Sequence, residues 1–223
     1  MKNQCRDFLA FEKAGLSETY ETISHWHLFM ACEVPSVAAF STLPQGFFFR
    51  PCRRNEIDIW TRVVTEEAYI GYAVKFYENV YAKNADEFYK RCIFVCDAHD
   101  MPVGSSFIWR AYGKINTVGW TRVLPEYEGK GIGRALLSEV LRTAEFPVYL
   151  HTQPSSLCAI KLYSDLGFAL ITNDKIGYRK NNLSDSLSYL QITMPKSDFE
   201  SLRFVEAGDD LHQAALANNQ SEF

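Results

Sequence analysis

The chain has 223 residues, 47% of them hydrophobic and 22% charged, which excludes wholesale disorder and collagen-like repeats and suffices for a sizeable core without metal or disulfide staples. Lys plus Arg is 23 and Asp plus Glu is 27, a net charge of −4 that argues against non-specific nucleic-acid binding and is compatible with steering of a cationic substrate. No apolar run approaches the roughly 18–20 residues of a membrane span, and the segment from Met1 to Lys13 does not read as a secretory signal, so the expectation is a cytoplasmic protein without membrane contact.

Residues 1–46 differ in texture from the rest of the chain. Phe8, Leu9 and Phe11, then Tyr20, Ile23, Trp26, His27 and Met30, recur at roughly helical spacing and predict an N-terminal helical extension. His25-x-His27 followed by Cys32 and Glu33 lacks a second well-spaced pair, so no metal site is expected; the six cysteines read as thiols. From residue 47 to 205 the pattern is alternating α and β. Phe47 to Arg50 reads as a short strand closed by Pro51. Ile57, Trp60, Val63 and Val64 suit an amphipathic helix, and Tyr69, Ala73, Phe76, Tyr77, Val80 and Tyr81 a second one. Strands come next at Cys92 to Val95, Val103 to Trp109 and Ile115 to Val123, with turns between them. Gly131 to Ala144 reads as a helix and Pro147 to His151 as a buried strand. Ser155 to Leu166 reads as a helix capped by Ser155 or Ser156 and ended by Gly167. Phe168 to Ile171 and Tyr189 to Thr193 are expected to close the sheet, and residues 206–223 to form a frayed tail.

The stretch that carries chemistry is Val123 to Leu136, where a strand feeds the turn Gly129-Lys130-Gly131-Ile132-Gly133-Arg134 and a helix opens from it. The first N–H groups of a helix lack internal partners and sit at the positive end of its dipole, so they attract phosphate. Three alternating glycines remove the Cβ atoms that would keep a diphosphate from the backbone, while Lys130 and Arg134 add positive charge. A P-loop run is absent, and a dinucleotide fingerprint would need glycine where Arg134 stands. The run from Glu128 to Gly133 also resembles the first motif of S-adenosylmethionine-dependent methyltransferases. The next strand, ending His151-Thr152, lacks the acidic residue that a ribose needs, which counts against both nucleotide readings.

Val-x-Pro-x-Tyr-x-Gly-Lys-Gly-Ile-Gly-Arg-Ala-Leu, followed by Ala159-x-x-x-Tyr163-x-x-x-Gly167-Phe168, resembles the GNAT superfamily of N-acetyltransferases over roughly Phe47 to Pro195. The resemblance implies an α/β fold of the α+β type: one domain with a mixed, mostly antiparallel central sheet flanked by helices. In it, strands Ile115–Val123 and Val148–Thr152 splay into a V that holds acetyl-CoA. It further implies that the backbone of Gly129, Lys130, Gly131, Ile132, Gly133 and Arg134 binds the diphosphate. The pantetheine arm would run along Thr121, Arg122 and Val123 and be met by Ser156, where the family often has Asn. A backbone N–H near Val123 would polarise the thioester carbonyl. Tyr163 would protonate the departing thiolate after direct attack by an unprotonated amine, with no metal. Where the family has Gln or Arg, this chain has Glu128. A carboxylate about 4 Å from a phosphate repels it by ~1 kcal/mol in water and ~4 at an effective dielectric of 20. Glu128 is therefore expected to point to solvent or to pair with a cation such as Lys130.

The general base is less determined by pattern. His151, at the end of its strand, has a suitable unperturbed pKa; Glu66, Glu67, Asp97 and a chain of water molecules are the alternatives. The expected activity is transfer of an acetyl group from acetyl-CoA to a primary amine, in a pocket built from the aromatic helices around Tyr69 to Tyr89 and the loop Ile176 to Leu183. A non-catalytic acyl-CoA sensor is the alternative from a different class. Three roles stay open for residues 1–46: covering the acceptor site, mediating a homodimer, or extending the core.

Overall fold

The structure, a computed structural model, describes residues 20–218 and 221–223. In chain order its main elements are α1 (Tyr20–Ser24), β1 (Leu28–Cys32), β2 (Phe48–Pro51), α2 (Ile57–Val64), α3 (Ile70–Phe76) and α4 (Ala85–Arg91). Then come β3 (Ile93–Cys96), β4 (Pro102–Ala111), β5 (Ile115–Val123), α5 (Ile132–Arg142), β6 (Val148–Thr152) and α6 (Leu157–Asp165). The last are β7 (Ala169–Ile171), β8 (Lys175–Ile176), β9 (Arg179–Lys180), α7 (Leu183–Thr193), α8 (Lys196–Glu200), β10 (Phe204–Val205) and α9 (Asp209–Leu216). The expected mixed α/β architecture of sheet strands flanked by helices is found. No helix among the described residues is long and apolar enough to cross a membrane.

The chain divides into two compact units. Among the described residues, one comprises 37–145 and 222–223, the other 20–36, 146–218 and 221. In the first, the strand order is β5-β4-β3-β2, all antiparallel. Successive side chains of a strand point to opposite faces, and this sheet uses both. Phe94, Cys96, Phe107 and Trp109 pack with Trp60 of α2 and with Tyr81 and Phe88. Val95, Val103 and Val123 pack on the other face with Ile132 and Leu136 of α5. The Trp60 and Phe88 rings meet edge to face at 5.3 Å, and Tyr81 stacks on Phe88 at 5.2 Å. Between α3 and α4 the chain stays helical but loosens into a π turn at Tyr77–Tyr81.

The second unit has a mixed sheet in the order β10-β7-β1-β6. β1 is antiparallel to both neighbours, while β10 runs parallel to β7. Leu28 to Cys32 form a strand, which corrects the helical reading of Met30. All five residues are buried, so both faces are apolar and no alternation marks the strand. The expected helix through Phe8, Leu9 and Phe11 lies outside the described residues. Tyr189 to Thr193 belong to α7 rather than to the sheet. Leu183, Ser186 and Leu190 bury one helical face, and Phe204–Val205 supplies the edge strand instead. The tail is likewise not frayed where described: α9 buries Leu211, Ala214 and Ala215, and His212 Nδ1 accepts the Gly177 N–H at 3.2 Å.

Candidate functional site

The glycine turn has the local geometry its composition demands. β5 ends at Val123, a short 3-10 turn spans Pro125–Tyr127, and α5 begins at Ile132. Gly129 and Gly131 have φ of 74° and 82°, left-handed values that cost an L side chain about 1–2 kcal/mol. A Cβ added to either would meet nothing within 4 Å. Gly129, Lys130 and Gly131 are exposed. The first amide bonded back into the helix is that of Ala135, to the Gly131 carbonyl at 3.1 Å; the N–H groups of residues 129 to 133 find no hydrogen-bond partner among the described residues. An open concave run of unpaired donors at the positive end of an eleven-residue helix has one evident chemical capacity, to bind the oxygens of a phosphate.

Around the turn the side chains separate into those that face it and those used elsewhere. Glu128 is exposed, in agreement with the solvent-facing expectation, and Lys130 Nζ lies over the Tyr127 ring at 4.8 Å rather than beside that carboxylate. Arg134 Nη1 reaches the Ala39 carbonyl at 3.5 Å. Arg122 is committed structurally: its Nη1 donates to the carbonyls of Thr65 at 2.7 Å and Val63 at 3.3 Å, closing the C-terminus of α2.

β5 carries a bulge that sequence reasoning missed. Ser105 is paired with Arg122 and Phe107 with Gly119, so Trp120 and Thr121 together oppose Ser106. Trp120 has φ of +44°, a strained value for a bulky residue. Thr121 Oγ1 and Ser106 Oγ lie 2.6 Å apart across the bulge. Gly119 was the available signal, because an isolated glycine inside a strand marks a bulge or a close approach. Here it is both: a Cβ at Gly119 would come within 2.8 Å of Phe107 Cζ. The Trp120 ring packs against Phe76 at 5.4 Å and Tyr72 at 6.0 Å, and Tyr72 is 61% exposed. Of this group, Tyr72 and Phe76 belong to the stretch from Tyr69 to Tyr89 that the sequence marked for an acceptor, and Trp120 joins them from β5.

In the other unit, Tyr163 lies on α6 with 8% of its surface exposed, its ring 5.8 Å from that of Phe168. Burial pushes its hydroxyl up to about 12, so it stays protonated at neutral pH. That hydroxyl has no hydrogen-bond partner among the described residues. Ser156 occupies the N-cap position of α6 but makes no side-chain capping bond, which corrects the expectation of a capping hydroxyl. Gly167 ends the helix with φ of 111°, and a Cβ there would come within 2.8 Å of the Val34 carbonyl oxygen.

His151 is not an isolated histidine of ordinary basicity. Its Nε2 lies 2.8 Å from His27 Nδ1. Burial, then Arg179, then His27 hold its pKa well below the usual imidazole range. His27 is lowered by burial, then by Arg179 and His25. Of the alternative bases, Glu66, Glu67 and Asp97 belong to the first unit, and Asp97 is spent on turn geometry, its Oδ1 accepting the N–H groups of His99 and Met101 at 2.9 and 3.0 Å. No group of three or more His, Cys, Asp or Glu that could hold a metal is found among the described residues.

A strand, an open glycine turn and a helix in this order define the class of α/β proteins that seat a phosphate at a helix N-terminus. Residues 57–168 match the family model for the acetyltransferase (GNAT) family, and the chain belongs to that family. Among solved structures it is similar to a GCN5-related N-acetyltransferase from Sphaerobacter thermophilus, at 19% identity and a TM-score of 0.51, over 65% of this chain and 48% of that one. A GNAT-family acetyltransferase from Colwellia psychrerythraea matches at 12% identity and a TM-score of 0.51, over 65% and 53%. These likenesses concern the fold, and the match spans about half the length of those chains. No curated protein matches the sequence.

Proposed function

We propose that the protein is an acetyl-CoA-dependent N-acetyltransferase that moves an acetyl group to a primary amine by direct attack. The observation that carries this reading is the open left-handed glycine turn, whose amides from 129 to 133 have no partner among the described residues. Those amides take the diphosphate of the co-substrate. The backbone of Thr121 to Val123, beyond the bulge, takes the pantetheine arm, and an N–H there supports the negative charge that develops on the thioester oxygen. Ser156, with its hydroxyl free of a capping duty, supplies a further donor to the arm.

Tyr163 serves the departing sulfur. Its pKa of about 12 makes it a neutral donor throughout the working range. Complete proton transfer to a thiolate of ordinary pKa, ~8.5, would be uphill by about 5 kcal/mol, so its contribution is a hydrogen bond to the sulfur as the C–S bond breaks. His151 takes the amine proton: at neutral pH it is already in the neutral, accepting form. The exposed ring of Tyr72, packed against the half-buried ring of Trp120, favours an amine with an apolar body.

The test is calorimetric titration with CoA and acetyl-CoA, followed by thiol release from acetyl-CoA against a panel of amines. Binding together with amine-dependent thiol release supports the reading. Binding without release under every amine favours an acyl-CoA sensor, and no binding ends the proposal.

A further inference from the structure

We infer that His27 and His151 act as one proton-accepting unit in which His27 fixes the ring and the tautomer of His151. The inference rests on the proposal that His151 takes the amine proton. β1 and β6 pair in register, with Phe29 opposite His151 and Leu28 opposite Thr152. Two residues before Phe29, His27 falls on the face that His151 shares. The two imidazole centroids lie 4.8 Å apart, and Phe29 packs on His151 at 5.2 Å. A bond of 2.8 Å between ring nitrogens requires a proton on one and a lone pair on the other.

His27 is itself held from both sides. Its N–H donates to Asn182 Oδ1 at 3.2 Å, and its carbonyl accepts the Asn182 N–H at 2.8 Å. Asn182 Nδ2 donates to Asp185 Oδ2 at 2.9 Å, which sets the amide so that Oδ1 faces His27. The charged and titratable groups around the pair are Arg179, over the Phe29 ring at 4.9 Å, and His25. Both oppose a resting positive charge on the imidazoles.

The chemistry is set by that bond. With the shared proton on His151 Nε2 and donated to His27 Nδ1, the lone pair of His151 sits on Nδ1, ready to accept. The ammonium proton passes to Nδ1 while the amine nitrogen keeps the electron pair for attack on the thioester carbon. The imidazolium so formed still donates from Nε2 to His27, now through a charge-assisted bond, roughly twice as strong as a neutral one. The proton later returns to water. A second proton on His27 Nδ1 would break the bond, so the pair accepts one. His27 is thus a positioning residue, and its partnership offsets part of the basicity that burial and Arg179 remove from His151.

The experiment reads the imidazoles directly, by nitrogen-15 NMR of the full chain from pH 5 to 8, in the wild type, His27→Gln and His27→Phe. The wild type is expected to carry the His151 proton on Nε2. Gln, whose carbonyl can still accept that proton, should preserve the tautomer; Phe should scramble it. If the wild type carries its proton on Nδ1, or if Phe leaves the tautomer unchanged, the inference is overturned. A Phe variant that fails to fold leaves the wild-type and Gln spectra to decide. Thiol release then separates the two proposals. His151→Ala with full turnover removes the base assignment itself. Loss in His151→Ala, with no change in rate or pH profile in His27→Phe, removes only the pairing. The expected outcome is a loss of roughly tenfold or more in His27→Phe and a loss within about threefold in His27→Gln.

Discussion

Gly131→Ala separates the ligand-holding role of the turn from its part in the fold. The Cβ would meet nothing within 4 Å, so no neighbour resists it; the cost is confined to a backbone held at φ 82°. Left-handed backbone costs an L residue about 1–2 kcal/mol. For a chain of this length that lowers Tm by roughly 2–8 °C. Relief of the strain re-aims the amides on either side. Losing one charge-assisted hydrogen bond to a diphosphate is worth about 1.5–3 kcal/mol, or roughly 10- to 150-fold in Kd for CoA. Gly113→Ala is the matched control. Gly113 sits in the turn between β4 and β5 with φ 68° and equally open surroundings, so it carries the same backbone cost without a proposed ligand. Calorimetric titration with CoA and thermal melts of both variants form the assay. Similar melting losses with a CoA defect confined to Gly131→Ala are expected. Equal CoA affinity in the two variants refutes the assignment of the diphosphate to this turn.

At Gly167 the same substitution acts through packing. φ of 111° is closed to alanine, and the Cβ would lie 2.8 Å from the Val34 carbonyl oxygen and 2.9 Å from the Ser36 nitrogen, both backbone atoms that cannot rotate away. Gly167→Ala should cost more than about 3 kcal/mol, seen as a fall in the denaturant midpoint. Tyr163→Phe removes a hydroxyl with no hydrogen-bond partner among the described residues, so stability should change by less than about 1 kcal/mol while amine-dependent thiol release falls roughly a hundredfold. Undiminished turnover would end its assignment. The histidine pair makes stability fall in acid. The folded pKa of His151 lies well below the unfolded value near 6.5, so between the two the unfolded chain binds the extra proton. Stability is full above pH ~6.5 and declines below it at about 1.4 kcal/mol per pH unit until the folded pKa is reached. Denaturant melts at pH 7.5 and 5.5 should show the loss, reduced in His151→Gln; a pH-independent midpoint would contradict the buried neutral imidazole.

What could be read from sequence is what local chemistry decides. The turn from 129 to 134 was legible because alternating glycines, a preceding strand and the apolar spacing of Ile132, Ala135 and Leu136 each constrain a few neighbouring residues. The family motif at Tyr163, Gly167 and Phe168 was legible for the same reason, although Gly167 is required by the approach of Val34 and Ser36 as well as by helix termination. The α2 helix and the β4–β5 hairpin obey the same logic of period and turn.

Other features had no local signature. Leu28 to Cys32 are apolar on both faces, so their periodicity cannot tell strand from helix; the register with β6 and β7 makes them a strand. Tyr189 to Thr193 have strand-like residue types, yet the buried stripe of Leu183, Ser186 and Leu190 makes them helical. The bulge at Trp120 and Thr121 exists only as a mismatch against β4, and the carbonyls that accept from the Arg122 side chain lie more than 50 residues away in the chain. His27 and His151 stand 124 residues apart. Each reads alone as an ordinary titrating side chain; pairing, burial and Arg179 change that, and these are properties of the folded sheet, because desolvation and hydrogen bonding depend on neighbours that chain order does not bring together.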